Sequence, residues 1–251
     1  MPALTFLGTS SAVPDEGHEN SHMIVTGDEQ TILIDSVGNS ILRLKEVGID
    51  HNDLTDLILT HFHPDHVSGV PSLLMNMWLL GRRHELNIYG LRYTLERLEK
   101  LMEFYDWATW PNFFPVHFRN LPEEEKALLL ESKEFRIHSS PVHHLIPTIG
   151  LRIEFLKTGK SLAYSCDTEP CAEVERLAAG VDVLIHEATG ATLGHTSAAQ
   201  AGKIAAQAQA KSLYLIHYPA KGDERQVLVD EARSTFNNPV ALAQDFMRLE
   251  F

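Results

Sequence analysis

Two kinds of hydrophobic pattern alternate along the chain: short β-branched runs predict strands, and segments with helical spacing lie between them. Before residue 85, the predicted strands are 3–7, 23–25, 31–34 and 57–60, and the predicted helices are 40–47 and 69–80. After residue 133, the predicted strands are 135–137, 150–156, 161–164, 181–185 and 213–216, with an alanine-rich helix at 197–210. Strands that alternate with helices in this way indicate an α/β layered fold.

The middle segment, residues 86–132, differs because aromatic residues are concentrated there. Eight of the 20 aromatic residues lie between Tyr93 and Phe118. We predict a helical segment, for which two interpretations remain open. The aromatic side chains either pack into a small core of their own, or they form a lid or a dimer surface beside an active site.

Composition is typical of globular proteins, since 44% of the 251 residues are apolar and 22% are charged. This length can bury one large core, and we expect a single domain over residues 1–251. The formal net charge of −13 disfavours binding to nucleic acid or to anionic membranes through general electrostatics. The 14 histidines are numerous for this length, so their positions need an explanation.

Compartment can be predicted from what the sequence lacks. The N-terminal residues do not form a secretory signal, and no apolar run is long enough to span a bilayer. The two cysteines, Cys166 and Cys171, are too few for a secreted disulfide framework. We therefore expect a soluble, cytoplasmic protein with no membrane partner.

The segment 60–66, which reads Thr-His-Phe-His-Pro-Asp-His, carries the strongest chemical signal. It follows directly on a predicted buried strand and so forms a loop at the C-terminal end of that strand. A tight loop can direct His61 and His63 at one cation while Asp65 and His66 turn toward a second. Zinc binds imidazole nitrogen and carboxylate oxygen, and burying four such groups without a metal would leave polar atoms unsatisfied.

Three further candidate ligands follow apolar strands. Two histidines are adjacent at His143 and His144, so on a strand they point to opposite faces and only one is expected to be a ligand. Asp167 and His217 each come directly after a predicted strand. The C-terminal ends of strands are where α/β sheets bind ligands, which favours one shared site.

Together these motifs resemble the metallo-β-lactamase superfamily, and within it the ribonuclease Z branch. Residues 6–14 are similar to the opening strand and loop of that branch, and 61–66 to the superfamily signature. Residues 186–189 resemble its His-Glu-Ala-Thr motif, and 194–197 its Gly-His-Ser/Thr motif. The resemblance covers almost the whole chain and implies a four-layer αββα sandwich.

The resemblance also implies a dinuclear centre that holds two divalent metal ions, with zinc expected and manganese or iron as alternatives. Asp35 matches an acidic position that supports the metal loop. The implied ligands are His61, His63 and His144 for one ion, Asp65, His66 and His217 for the other, and Asp167 as the bridge.

The implied reaction is hydrolysis of a phosphodiester by a hydroxide that bridges the two metal ions. Asp65 would orient that hydroxide or accept its proton. His195, held by Glu187, would protonate the departing oxygen. Asp65, Glu187 and His195 are therefore the predicted catalytic residues.

The sequence departs from the ribonuclease Z pattern in ways that bear on the substrate. Only 22 residues separate His144 from Asp167, which leaves no room for the arm with which bacterial members grip tRNA. After His217 the family's Ser-x-Arg phosphate contact is missing, and Lys221 is the replacement cation considered. With the net charge of −13, these departures favour a small phosphodiester over tRNA.

Several alternatives stay open. A tRNA 3′-processing endoribonuclease and an arylsulfatase-type hydrolase are the nearest ones, because both act on similar tetrahedral centres. A thioesterase, a mononuclear iron dioxygenase and a catalytically silent scaffold are less compatible with the residue set. The family and the aromatic segment also make a homodimer a reasonable expectation.

Overall fold

The computed structural model describes residues 1–219 and 225–251, and these residues form fourteen strands in two sheets. The strands are β1 (Ala3–Gly8), β2 (His22–Thr26), β3 (Thr31–Ile34), β4 (Asp56–Ile58), β5 (Leu86–Leu91), β6 (Val116–Leu121), β7 (Ala127–Glu131), β8 (Phe135–Val142), β9 (Thr148–Phe155), β10 (Lys160–Tyr164), β11 (Val183–Glu187), β12 (Leu213–Ile216), β13 (Val240–Leu242) and β14 (Arg248–Glu250).

Both sheets are mixed. The first has the order β14-β1-β2-β3-β4-β5-β6, in which β3 to β6 are parallel to one another and the remaining neighbours are antiparallel. The second has the order β13-β12-β11-β10-β9-β8-β7, in which β10 to β13 are parallel. Because β8 and β10 are both antiparallel to β9, β8 runs in the same direction as β10.

Helices cover the outer face of each sheet. They are α1 (Ser40–Glu46), α2 (Pro64–Val67), α3 (Val70–Leu79), α4 (Arg92–Glu103), α5 (Ala172–Leu177), α6 (Ala198–Gln207) and α7 (Arg225–Arg233). None of these helices is both long and apolar enough to cross a membrane.

Three layers of buried side chains separate the two sheets and the helices. In β3, Ile32 and Ile34 point into the core between the sheets, while Leu33 points toward the helices on the first sheet. This alternation follows from the two-residue period of a strand, and a strand buried on both faces is apolar throughout. The predicted four-layer αββα arrangement is confirmed, and most of the predicted strands and helices lie within a few residues of the observed ones.

The prediction for the middle segment is correct only in part. Helix α4 and a short 3₁₀ helix at Trp107–Thr109 lie there, but the same segment also contains β5, β6 and β7. The first two complete one sheet and β7 is the edge of the other. The aromatic density concealed these strands because the aromatic side chains occupy the connection between α4 and β6 as well as β6 itself.

The aromatic side chains of that segment lie at the edge of the sheet where β6 begins. Trp110 stacks on Trp78 with 4.9 Å between ring centroids, and Trp107 contacts Phe113 and Phe118. They pack against the core between the first sheet and its helices. Since β6 begins at this edge, the aromatic cluster lies opposite the C-terminal strand ends, which favours a packing role over a lid.

Candidate metal centre

In the loop after β4, the extended backbone ends at His63 and a helical turn begins at Pro64. His63 is extended, with φ −94° and ψ 150°, and Pro64 then begins the single turn of α2. The fixed φ of proline suits the first position of a helix. The amide of His66 donates to the carbonyl of His63 at 3.0 Å. Because of this tight turn, Asp65 and His66 lie beside His61 and His63, whereas a chain that stayed extended would carry them away.

Asp35 supports this loop from the end of β3. It has a positive φ of 60°, a conformation that aspartate tolerates better than most residues. Its carboxylate accepts hydrogen bonds from the Thr60 amide at 2.8 Å, the Thr60 hydroxyl at 2.7 Å and His66 Nδ1 at 2.8 Å. Asp35 is buried, so one carboxylate fixes both the start of the loop and the ring of His66.

Three imidazoles form the first group of candidate ligands. His63 Nδ1 lies 3.1 Å from His61 Nε2 and 3.1 Å from His144 Nε2. The other nitrogen of His61 lies 3.1 Å from the Thr60 hydroxyl, and that of His144 lies 2.7 Å from the Gly194 carbonyl. A partner on Nδ1 places the proton there and leaves Nε2 with a lone pair for a metal.

The second group combines two carboxylates and two imidazoles: Asp65, His66, Asp167 and His217. Asp167 Oδ2 lies 3.5 Å from His66 Nε2, 3.4 Å from His217 Nε2 and 4.0 Å from His144 Nε2. Asp65 Oδ2 lies 3.4 Å from His217 Nε2. Asp167 therefore stands between the two groups, at the position predicted for a bridge.

The residues present fit a divalent transition metal. His66 Nε2 and Asp167 Oδ1 are buried and have no hydrogen-bond partner among the described residues. Buried polar atoms are nearly always satisfied, so such orphaned atoms in one cluster indicate an ion. The nitrogen separations of 3.1 Å in the first group are also close to the roughly 3.4 Å between tetrahedral ligands of zinc.

The surroundings act in opposite directions on the pKa values of the first group and of His66. Burial lowers the pKa of His61 well below its usual value, and it also lowers the pKa values of His63 and His144. These three rings are therefore neutral at pH 7 and can act as ligands. Burial opposes the charged form of His66 as well, but the carboxylates of Asp167 and Asp35 outweigh it and raise its pKa well above the usual value.

Both carboxylates of the second group are ionised. Burial would raise the pKa of Asp167, but His217 and His66 together lower it well below its usual value. For Asp65, burial is likewise outweighed by the hydrogen bond with His217 and by the charge of His66, and its pKa is lowered. Two anionic ligands in a buried site would compensate much of the charge of bound divalent cations.

His195 and Glu187 form a pair beside the ligand cluster. His195 Nδ1 lies 2.9 Å from Glu187 Oε1, and Glu187 also accepts hydrogen bonds from the amides of Thr168 and Thr189, each at 3.0 Å. The ring of His195 lies 5.1 Å from that of His144. The hydrogen bond that His195 Nδ1 donates to the Glu187 carboxylate raises the pKa of His195 and directs its free Nε2 away from the carboxylate.

The structure brings together every residue that the sequence analysis assigned to the site. Those residues are His61, His63, Asp65, His66, His144, Asp167, Glu187, His195 and His217. His143 is excluded from the cluster, with 63% of its side chain exposed. Lys221, the replacement cation considered for phosphate, lies outside the described residues.

Sequence reasoning missed the groups that orient the ligands. Thr60 contacts Nδ1 of His61, and the hydroxyl of Thr189 lies 2.8 Å from Nδ1 of His217. Gly194 has a φ of +80°, and a Cβ there would come within 3.0 Å of His144 Nδ1, so both conformation and space require glycine. Each of these residues lies within a motif quoted above, but the sequence carries no sign of which ring it contacts.

Comparison with known proteins places this geometry in a family. The sequence profile of the family described as Anti-Pycsar protein Apyc1 matches residues 2–238. The chain belongs to this family. The match includes β1 to β12 and the whole candidate metal centre.

Several relatives of this chain carry the name ribonuclease Z. Ribonuclease Z of Methanothermobacter thermautotrophicus is 27% identical over 306 aligned positions, which cover 100% of this chain and 97% of that protein. Ribonuclease Z of Aeropyrum pernix is 30% identical, with 98% of this chain and 97% of that protein covered. The predicted resemblance to the ribonuclease Z branch is confirmed.

A solved structure supports the fold. YhfI of Bacillus subtilis, described as a metallo-beta-lactamase fold protein, superposes with a TM-score of 0.85 over 100% of this chain and 99% of that one. The sequence identity of that pair is 22%. The metallo-β-lactamase fold predicted from the sequence is therefore confirmed.

Proposed function

We propose that this protein is a dinuclear metal-dependent hydrolase that cleaves a small phosphodiester. The observation that carries the proposal is the pair formed by His195 and Glu187 at 2.9 Å, beside a cluster of seven candidate ligands. A cluster of ligands alone suits many hydrolytic reactions. A buried carboxylate that holds an imidazole next to the cluster supports a reaction whose leaving oxygen needs a proton.

Two ions are proposed, with zinc as the metal. His61, His63 and His144 would hold one ion, Asp65, His66 and His217 the other, and Asp167 would contribute to both. When bound, such ions act as Lewis acids and lower the pKa of water from 15.7 to about 7, so that hydroxide is available at neutral pH. Metal analysis of the purified protein tests the number and the identity of the ions.

The chain's own residues would bind the substrate's reacting group and move its protons. Asp65 has one carboxylate oxygen 3.4 Å from His217, and its side chain is partly exposed, so it can orient a nucleophile or accept its proton. His195 has 18% of its side chain exposed, which leaves Nε2 accessible to a leaving oxygen. Glu187 is fully buried and would keep His195 protonated and correctly oriented.

The preference for a small substrate rests on what the chain lacks relative to its relatives. The alignment with the Methanothermobacter ribonuclease Z has 306 positions whereas this chain has 251 residues, so at least 306 − 251 = 55 positions have no counterpart here. Between His144 and Asp167 there are only β9, a turn at Thr158 and β10. A net charge of −13 also weakens attraction to a polyanion.

A precursor tRNA is the second candidate substrate, and the names of the relatives favour it. The two ribonuclease Z proteins align over nearly all of this chain. Under this alternative, a surface other than the missing arm would bind the tRNA.

Hydrolysis of a substrate series tests the proposal. The series comprises bis(p-nitrophenyl) phosphate, a dinucleotide, a cyclic mononucleotide, a sulfate ester and precursor tRNA, each with the metal-loaded protein. We expect hydrolysis of the small phosphodiesters and loss of turnover in His63→Ala, with the fold retained. His84→Ala is the matched control, because His84 is exposed and lies outside the cluster. Efficient cleavage of precursor tRNA at physiological salt would overturn the small-substrate preference.

We also propose a homodimer and a cytoplasmic location. The dimer is supported by exposed apolar side chains that include Phe104, with 85% of its surface accessible, and Leu79, with 64%. Sedimentation of the purified protein at several concentrations checks the oligomeric state.

A further inference from the structure

A second group of metal-binding residue types lies outside the candidate metal centre. It consists of His143, Cys171 and Glu173, whose ligand atoms all lie within 4.8 Å of one another. His143 Nε2 is 3.5 Å from Glu173 Oε2. His143 is exposed and Cys171 is buried, so the group forms a shallow site with the thiol at its base.

The backbone around these residues is well anchored. The His143 carbonyl accepts a hydrogen bond from the Glu169 amide at 2.7 Å, and the His143 amide donates to the Thr168 hydroxyl at 3.1 Å. Cys171 immediately precedes α5. These contacts hold the loop after β8 against the loop after β10. The backbone of the fold therefore brings His143, Cys171 and Glu173 close to one another.

The carboxylate of Glu173 is oriented so that one oxygen faces the group. Arg176 Nη2 donates to Glu173 Oε1 at 2.7 Å, which leaves Oε2 toward His143. The positive charge of Arg176 is shared with Glu125, which accepts two hydrogen bonds from the same guanidinium at 2.7 and 2.8 Å. Repulsion between Arg176 and a bound cation is therefore offset by two carboxylates.

We propose that His143, Cys171 and Glu173 form an accessory site for a zinc-type transition metal, separate from the catalytic ions. One thiolate, one imidazole and one carboxylate are ligands that zinc accepts, and three protein ligands leave the fourth position to water. On binding, the Cys171 thiol loses its proton to solvent and its sulfur bonds the metal.

An ion at this site would connect the two loops that carry catalytic ligands. His143 is adjacent to His144, and Cys171 lies in the same loop as Asp167, between β10 and α5. The ion would therefore stabilise the folded protein without taking part in the reaction. This inference does not depend on the proposed substrate.

The test compares metal binding by the wild-type protein and Cys171→Ser. The substitution suits the fold, because Cys171 is the N-cap of α5, makes no side-chain cap bond, and serine is a preferred N-cap residue. We expect Cys171→Ser to bind one ion per chain fewer than the wild type after dialysis against zinc. With cobalt in place of zinc, the thiolate charge-transfer absorption should disappear in this variant.

The exposed ligand provides an independent second variant. His143→Gln removes the imidazole from a side chain that is 63% exposed, so folding should be unaffected. We expect it to lose the same ion and the same gain in melting temperature on zinc addition, while hydrolysis at the catalytic centre continues. An unchanged ion count in both variants overturns the proposal. A cobalt–thiolate absorption that persists in Cys171→Ser also overturns it, because Cys166 is the one other cysteine of the chain.

Discussion

Replacing Asp35 by asparagine isolates the buried hydrogen bonds beneath the metal loop. Oδ2 of Asp35 faces two donors, the Thr60 hydroxyl and His66 Nδ1, while Oδ1 faces the Thr60 amide. An amide has one oxygen and one NH₂ group, so in either orientation at least one of these donors would face another donor. The positive φ of 60° is also accessible to asparagine, so the backbone should not be strained.

The size of the effect follows from the bonds lost. Hydrogen bonds to a charged group contribute about 1.5–3 kcal/mol each, and Asp35 is 1% exposed, so solvent does not replace them. We expect Asp35→Asn to lower the free energy of unfolding by roughly 2–3 kcal/mol. If the NH₂ group faces His66, the proton of that ring moves to Nε2 and the lone pair for a metal is lost. Loss of such an orienting contact weakens metal affinity by about 10–100-fold.

Two measurements separate these effects. Urea unfolding in the presence of a chelator reports the stability of the metal-free protein, and competition with a chromophoric chelator reports metal affinity. The control is Asp56→Asn, since Asp56 is a buried carboxylate on the same sheet that lies outside the metal centre. Burial already raises the pKa of Asp56, so a neutral replacement should have a smaller effect there. Wild-type metal affinity in Asp35→Asn would refute the orienting role of Asp35.

Three further predictions concern separate parts of the molecule. His195→Gln should lower kcat by about 10²–10⁴ for an ester with an alkoxide leaving group, but much less for a nitrophenyl ester, with metal content unchanged; equal losses on both would contradict a proton-donor role. Burial lowers the pKa of His22 to about 4, so the folded protein resists protonation there and stability falls as pH drops from about 6.5 to about 4. In His22→Gln, the fall in urea-unfolding free energy between pH 7 and pH 5 should be about 2 kcal/mol smaller than in the wild type. Ser197 and Gln200 form a capping box on α6, so Ser197→Ala should cost about 1 kcal/mol by the same assay, whereas Ser197→Gly should cost only a few tenths.

The sequence predicted the main strands because their apolar runs are long and continuous. It failed in the middle segment, where β5 reads Leu-Asn-Ile-Tyr-Gly-Leu and carries polar residues on one face. In β6, Val116 to Phe118 is only partly buried and the next two residues are exposed, so the strand has no strong apolar period. Such strands are stabilised by pairing with their neighbours, which a local pattern does not report.

Sequence alone determined the chemical type of this protein, because four candidate ligands lie within six residues from His61 to His66 and chain connectivity holds them close. The remaining candidate ligands were also predicted from strand ends and motifs. Only the tertiary structure decided how they meet. His144, Asp167 and His217 are far apart in the chain and become neighbours because β8, β10 and β12 of the second sheet run in the same direction and end at one edge. Folding also decides which ring nitrogen faces the metal centre, because partners such as Asp35 come from other parts of the chain. In the same way, only folding brings His143, Cys171 and Glu173 close together.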